Sequence, residues 1–261
     1  MLLSGAAIIV EELVAQGIGI VFGYPGGNVI HIYDELYRNT HRLTHILTAH
    51  EQGAAHAADA YARITGKASA VLVTSGPGAT NLVTGIANAY LDSVPVVFIT
   101  GNVPVPMLGR DSFQEIDVLS VTLPIVKHSY VVKNVNSLQY TLREAFQIAN
   151  SGRKGPVLVD IPKCVQQALC EYDPDLNIGS SDKAPLLEDI SGFDKALAAI
   201  EKSSRPFIYC GGGVAGANAG AYVIELSKKI AAPVAIHANK SAINSYIINF
   251  PLFYCVLGNY L

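Results

Sequence analysis

The chain has 261 residues, half of them hydrophobic, and a formal net charge of −3. That length carries one large or two ordinary cores. The mixed charges exclude a nucleic-acid stripe and a polybasic membrane patch, and no apolar run reaches the roughly 20 residues of a membrane span. Cys164, Cys170, Cys210 and Cys255 show no metal-ligand spacing and read as reduced thiols of a cytoplasmic protein.

Ser4 is placed to cap a first helix whose apolar face includes Ile8, Ile9, Leu13 and Val14 and which ends at Gly17 and Gly19. Its acids, Glu11 and Glu12, and the lack of a basic start distinguish it from a signal peptide. "IGIVFGYPGG" reads as a buried strand running into a sharp turn, "NVIHIYDELYRN" as a helix and "LTHILTA" as a strand. "EQGAAHAADAYARITG" is a helix with Gly66 as its C-cap. "ASAVLVTSG", "VPVVFITGN", "KHSYVV" and "GPVLVDIP" are strands; "GATNLVTGIANAYLD" and "SLQYTLREAFQIANSG" are helices between them.

Alternating strands and helices, with strands apolar throughout, predict a doubly wound parallel sheet covered on both faces. Residues 1–165 form this α/β domain. Residues 166–190 are polar, proline-bearing and aperiodic and read as a linker. A partial second α/β domain follows over 191–236. The last stretch, 237–261, fits none of these patterns; its aromatic, β-branched run is either a strand or a piece without a natural packing partner.

Glu51 stands where a strand hands over to a helix, at the sheet edge where α/β folds bind ligands. The helix end stabilises its charge, so position alone suits either a carboxylate aimed into a cleft or an ordinary first-turn acid. The small residues Gly53, Ala54, Ala55, Ala57 and Ala58 admit close packing of another surface, within or between subunits. "TSGPGATN" could hold an anion on backbone N–H groups but has no P-loop lysine, and Ser75 is not in a nucleophile elbow. "CGGGVAGANAG" has the form of a dinucleotide turn with no acid partner downstream. None of the seven histidines has metal-ligand spacing, and only His50, beside Glu51, is suggestively placed. "GRDSFQEID" is a polar loop that could close over a site or form a subunit contact.

"VFGYPGG", "HEQGAAHAADAYAR", "LVTSGPGATNLVTGIANAY", "FITGNVP", "FQEIDV", "KHSY" and "SGRKGPVLVDIPK" occur in the order seen in thiamine-diphosphate-dependent enzymes. The chain resembles most the acetolactate (acetohydroxyacid) synthase large subunits, densely from Ser4 to Val165 and more loosely beyond. The resemblance implies a pyrimidine-binding domain followed by part of an FAD-binding-type domain. It implies that pyruvate is decarboxylated on thiamine diphosphate and its two-carbon unit passed to pyruvate or 2-ketobutyrate, in valine, leucine and isoleucine synthesis.

Glu51 matches the glutamate that hydrogen-bonds N1′ of the aminopyrimidine and favours the tautomer whose 4′-nitrogen removes the thiazolium C2 proton. A carboxylate can share such a proton. Tyr24, Pro25, Gly26 and Gly27 match the turn against that ring; Thr74, Pro77 and Asn81 line it, and Gln114 completes the contacts. Phe113, Gln114 and Lys163 match residues facing substrate. Arg153, Gly211, Gly212 and Gly213 match contacts to a structural FAD.

Asn28, Asn102 and Ile116 depart from the residues usual in the family, which bears on substrate preference. Nothing matches the family's G-D-G…N segment, which holds Mg²⁺ and the diphosphate; hence no metal ligands are assigned. The resemblance predicts a truncated large subunit carrying the aminopyrimidine half of a site, with the activity of the chain alone left open. It also implies a homodimer through the pyrimidine domain and a regulatory small subunit. The alternatives are an inactive dimerising remnant, another thiamine-diphosphate enzyme such as a pyruvate oxidase, and a nucleotide-binding module.

Overall fold

A computed structural model describes residues 1–179, 191–237 and 253–256. The chain divides into two units, Met1–Asp182 and Lys183–Leu261. In the first unit β1 (Leu2–Ser4) leads into α1 (Gly5–Ala15), then β2 (Ile20–Tyr24), α2 (Ile30–Arg38), β3 (Thr44–Leu47), α3 (Glu51–Thr65) and β4 (Ser69–Val73). Helices α4 (Pro77–Thr80) and α5 (Val83–Leu91), β5 (Val96–Asn102), α6 (Val118–Thr122), β6 (His128–Val131), α7 (Leu138–Asn150) and β7 (Val157–Pro162) follow. The unit closes with α8 (Lys163–Gln167) and β8 (Leu169–Glu171).

The caps behave as their chemistry requires. Ser4 Oγ accepts the Ala7 N–H at 3.2 Å, and Gly66 ends α3 with a left-handed φ of 71°. Strands β4, β5 and β7 are buried along their whole length, as apolar runs in a sheet covered on both faces must be. The six strands pair in parallel in the order β3-β2-β4-β5-β7-β6. Alternate residues serve two cores. Ala70, Leu72, Val97 and Ile99 pack with Ile8, Ile9, Leu13 and Leu142 of α1 and α7. Val71, Val73 and Phe98 pack with Ala54, Ala55, Ala58 and Ile86 of α3 and α5. The expected doubly wound parallel sheet is therefore present.

Two local expectations change. The helix expected over "GATNLVTGIANAYLD" is two helices, α4 and α5, with Asn81 and Leu82 between them. The interruption falls where the Asn81 side chain turns to Glu51. The segment read as a linker from residue 166 begins with structure: β8 pairs antiparallel with β1, Leu3 opposite Cys170. Further on, Arg143 and Gln139 hold the carbonyls of Asp173 and Pro174. This stretch has no period of its own because α7 side chains, not internal spacing, hold it. The remainder of that linker, 180–190, lies outside the described residues.

The second unit contains α9 (Ser191–Lys202), β9 (Ile208–Cys210), α10 (Gly212–Gly216), α11 (Gly220–Ile230), β10 (Val234–His237) and β11 (Phe253–Val256). Its sheet is parallel in the order β11-β10-β9. Part of the aromatic C-terminal run is thus a strand, with Tyr254 opposite Ala235; the rest of that segment lies outside the described residues. Cys164, Cys170 and Cys210 are free thiols. Among the described residues no helix is long and apolar enough to cross a membrane.

Candidate cofactor site

The chain leaves β2 for β3 on one side, then returns to β4 on the other side of β2. The order therefore reverses between β2 and β4, and their carboxyl ends, Tyr24 opposite Val73, frame the crevice where open α/β sheets bind ligands. The two glycine turns issue from these strand ends. They meet closely: a Cβ on Gly26 would lie 2.5 Å from Cβ and Cγ2 of Thr74. Gly27 has open space where its Cβ would sit. Tyr24 and Pro25 are exposed at the rim, and Thr74 is buried.

Glu51, the first residue of α3, is 9% exposed. His50 caps the helix by accepting the Gln52 N–H at Nδ1, 3.1 Å away, which is the role of that suggestively placed histidine. Glu51 Oε2 accepts from Asn81 Nδ2 at 2.9 Å. On the other side, a Cβ on Gly78 would come within 3.3 Å of Glu51 Oε1 and 2.7 Å of Thr74 Cγ2. Glycine there keeps one carboxylate oxygen uncrowded. Pro77 opens α4 at the exposed edge of the same turn.

Gln114 reaches the site through its backbone. It has a left-handed φ of 59°, and a Cβ on Gly76 would lie 2.8 Å from the Gln114 carbonyl oxygen. Phe113 beside it is 86% exposed. Lys163 begins α8 directly after Pro162, which pairs with Asn102 at the same edge of the sheet. Glu51, Tyr24–Gly27, Thr74, Pro77, Asn81, Phe113, Gln114 and Lys163 thus share the carboxyl edge.

Arg153 does not join them. It precedes β7 at the amino edge, where Nε donates to Ser93 Oγ at 2.8 Å and the guanidinium lies 5.8 Å from the centre of the Tyr90 ring. Gly211, Gly212 and Gly213 follow β9 in the second unit, and a Cβ on Gly211 or Gly213 would meet nothing within 4 Å. The inward-facing small residues of α3 have a partner in their own unit: a Cβ on Gly85 of α5 would lie 2.3 Å from the Ala55 Cβ.

Several residues at the site had no signal as site residues in the sequence. Asn28, noted there only as a departure, ties the two turns together. Its N–H donates to Thr74 Oγ1 at 3.3 Å, its Nδ2 to Ser75 Oγ at 2.6 Å, and its carbonyl accepts from Gln166 Nε2 at 2.7 Å. Tyr33 donates to the Leu72 carbonyl at 3.1 Å, with His45 Nε2 also 3.1 Å from its hydroxyl. Burial, then the nearby Glu51 charge, pushes the Tyr33 phenol up, and burial lowers His45. Asp160, the one acid within the apolar run "VLVDIP", is 1% exposed and accepts from Thr100 Oγ1 at 2.6 Å and Asn102 Nδ2 at 2.5 Å. Burial pushes it up to about 7 against those hydrogen bonds, with Asp117 adding to the rise.

Residues 3–121 match the family described as "Thiamine pyrophosphate enzyme, N-terminal TPP binding domain". This segment is similar to that family. It holds the switch point, Glu51, both glycine turns and the Phe113–Gln114 loop. The chain is 50% identical over 237 residues to an acetolactate synthase of Arthrospira platensis, covering 88% of this chain and 41% of the relative. It is 46% identical over 230 residues to the acetolactate synthase isozyme 1 large subunit of Escherichia coli K12, covering 88% and 40%. A probable acetolactate synthase large subunit of Methanocaldococcus jannaschii is 44% identical over 243 residues, covering 89% and 40%. The chain therefore spans about two fifths of the length of these curated relatives.

The groups gathered at this edge are chemically compatible with an aminopyrimidine: a buried carboxylate with one uncrowded oxygen, a neutral amide beside it, and a glycine, Gly27, with free space at the rim. Among the described residues no group of three or more His, Cys, Asp or Glu could hold a metal ion.

Proposed function

We propose that the first unit supplies the aminopyrimidine-binding half of an acetolactate synthase active site. The observation that carries this reading is Glu51, buried at the switch point, held by Asn81 on one oxygen and uncrowded on the other. Thiamine diphosphate, when bound, supplies the electron sink for decarboxylating a 2-keto acid and transferring its two-carbon unit. Glu51 shares a proton with a ring nitrogen, and the α3 N-terminus favours its charge by roughly 0.3–1 kcal/mol. Asn81 fixes the carboxylate's rotamer. Tyr24, Pro25, Gly26, Gly27, Thr74 and Pro77 orient the ring, and Phe113, Gln114 and Lys163 face the keto acids.

Pyruvate as donor and acceptor is consistent with the acetolactate in the relatives' names; 2-ketobutyrate as an alternative acceptor rests on the resemblance of the motifs alone. The same likeness supports a cytoplasmic enzyme of branched-chain amino-acid synthesis that pairs as a homodimer and takes a regulatory small subunit. No residue here is assigned to Mg²⁺ or the diphosphate. A structural FAD would meet the open turn at Gly211–Gly213; absorbance near 450 nm co-purifying with the chain tests it.

Calorimetric titration with thiamine diphosphate and Mg²⁺ tests the main reading. The chain is expected to bind, and Glu51→Ala to bind at least tenfold more weakly; equal binding by the two removes Glu51 from the site. Product analysis on pyruvate separates carbon–carbon ligation from the oxidation or simple decarboxylation expected of a pyruvate-oxidase-like enzyme.

A further inference from the structure

Glu115 follows Phe113 and Gln114 in the chain. Its carboxylate gathers three backbone N–H groups of the loop before it. Gly109 donates to Oε1; Arg110 and Ser112 donate to Oε2 at 3.2 and 3.0 Å. The Glu115 N–H returns to the Ser112 carbonyl at 2.9 Å, and Ser112 Oγ donates to the Met107 carbonyl at 3.0 Å. Neighbouring backbone N–H groups converging on one carboxylate in this way form a nest-like anion site. Its occupant is the chain's own carboxylate, which the Gly109, Ser112 and Arg110 hydrogen bonds hold below the usual range.

The backbone around this nest is not one the chain adopts freely. Gly109, Asp111 and Gln114 have φ values of 73°, 50° and 59°. Two of these are side-chain-bearing residues in a sparsely populated region, which persists only where surrounding contacts determine it. The nest is one such determinant. The Gln114 backbone seated on Gly76 is the other. Between them stands Phe113, 86% exposed.

We propose that Glu115 is a positioning residue: by filling the nest it fixes the 109–115 loop and so sets the Gln114 backbone against the Gly76 turn of the candidate cofactor site, with the exposed Phe113 beside it. The nest is correspondingly a receptor for a small carboxylate once the Glu115 side chain is removed. The consequence for cofactor or substrate rests on the proposed function; the ordering of the loop does not.

Hydrogen–deuterium exchange on the full chain tests this without any cofactor. In Glu115→Ala the amides of Gly109, Arg110 and Ser112 are expected to exchange at least tenfold faster, while those of β4 and β5 keep their protection. Sodium formate, compared with sodium chloride at equal ionic strength, is expected to restore protection in Glu115→Ala and to leave the unsubstituted chain unchanged. Rescue by a carboxylate is a readout that a mere packing role would not move. Glu115→Gln, which keeps the volume and loses the charge, is expected to fall between the two and serves if Glu115→Ala fails to fold. Unchanged exchange in the variants, or formate acting no better than chloride, overturns the proposal. Formate rescue in a chain that binds no thiamine diphosphate would leave the loop role standing and count against the proposed function instead.

Discussion

Asn81 and Glu51, 30 residues apart, are joined by a 2.9 Å hydrogen bond from the Asn81 amide to one oxygen of the Glu51 carboxylate. One residue ends a four-residue helix and the other begins a fifteen-residue helix. The bond therefore joins the "TSGPGATN" turn to the strand–helix junction at the centre of the site. Replacing Asn81 by Asp puts a second carboxylate on the first. Two such groups in one site cannot both ionise easily. Asn81→Asp is expected to lose thiamine diphosphate binding at pH 8 and to regain part of it near pH 5.5. Calorimetry at the two pH values measures this, and pH-independent binding would show that the pair does not share a proton.

The two adjacent glycines of "GYPGG" should respond differently to the same change. A methyl group on Gly26 would collide with Thr74 at 2.5 Å, whereas one on Gly27 meets nothing within 4 Å. Overpacking of this kind costs about 1–3 kcal/mol. Gly26→Ala is expected to lower the unfolding free energy read from a urea titration by that amount, and Gly27→Ala to leave it nearly unchanged. Equal effects would contradict the observed contact between the two turns.

Asp160 makes stability depend on pH in a direction unusual for an aspartate. Its folded value of about 7 lies above the roughly 3.9 of an unfolded chain. Between these values the folded state holds more protons, so this group's contribution to stability falls as pH rises through the window and its penalty is complete above pH 7. Asp160→Asn removes the titration. The stability of the variant relative to the parent is expected to improve from pH 4.5 to pH 8, by at most about 1.4 kcal/mol per unit of upward shift. Chemical denaturation at both pH values checks it; a constant or reversed difference would mean that Asp160 is ionised throughout.

Glu12 is completely buried in α1, where Arg143 of α7 meets both carboxylate oxygens, with Nε 2.9 Å from Oε2 and 3.0 Å from Oε1. Arg143 also holds the Pro174 carbonyl at 3.0 Å and reaches that of Leu176. Removing one partner of a buried pair typically costs about 3–5 kcal/mol because the other charge stays behind. Glu12→Ala is expected to destabilise the first unit by this amount and to expose the 173–179 segment to proteolysis. Limited proteolysis with denaturant melts reads both. An effect below about 1 kcal/mol would mean that solvent replaces the pair.

Much of the fold was legible because its determinants are local. Ser4, Gly66 and the apolar runs "SAVLV", "VVFITGN" and "VLVDIP" each announce a cap or a buried strand within a few residues. The same locality explains the misses. Residues 169–171 form a strand only because Leu2–Ser4 lies beside them, and the break at Asn81 reflects a partner 30 residues away. Asn28, Tyr33 and Asp160 gave no signal as site residues, since a polar side chain acquires a role only when distant groups meet it.

Read alone, the chain already carried the alternation of helices and strands, the parallel sheet and, through its ordered motifs, a resemblance to thiamine-diphosphate enzymes. Those are properties of spacing and residue type, which survive without coordinates. The reversal of strand order between β2 and β4, which brings Gly26, Thr74, Gly78, Asn81 and Glu51 to one edge while Arg153 lies at the other, is visible only in three dimensions. The tertiary structure alone showed Glu115 closing the loop that carries Phe113. The reason is physical: hydrogen bonds and close contacts between remote residues depend on strand order and turn geometry, and neither is written in any short window of the chain.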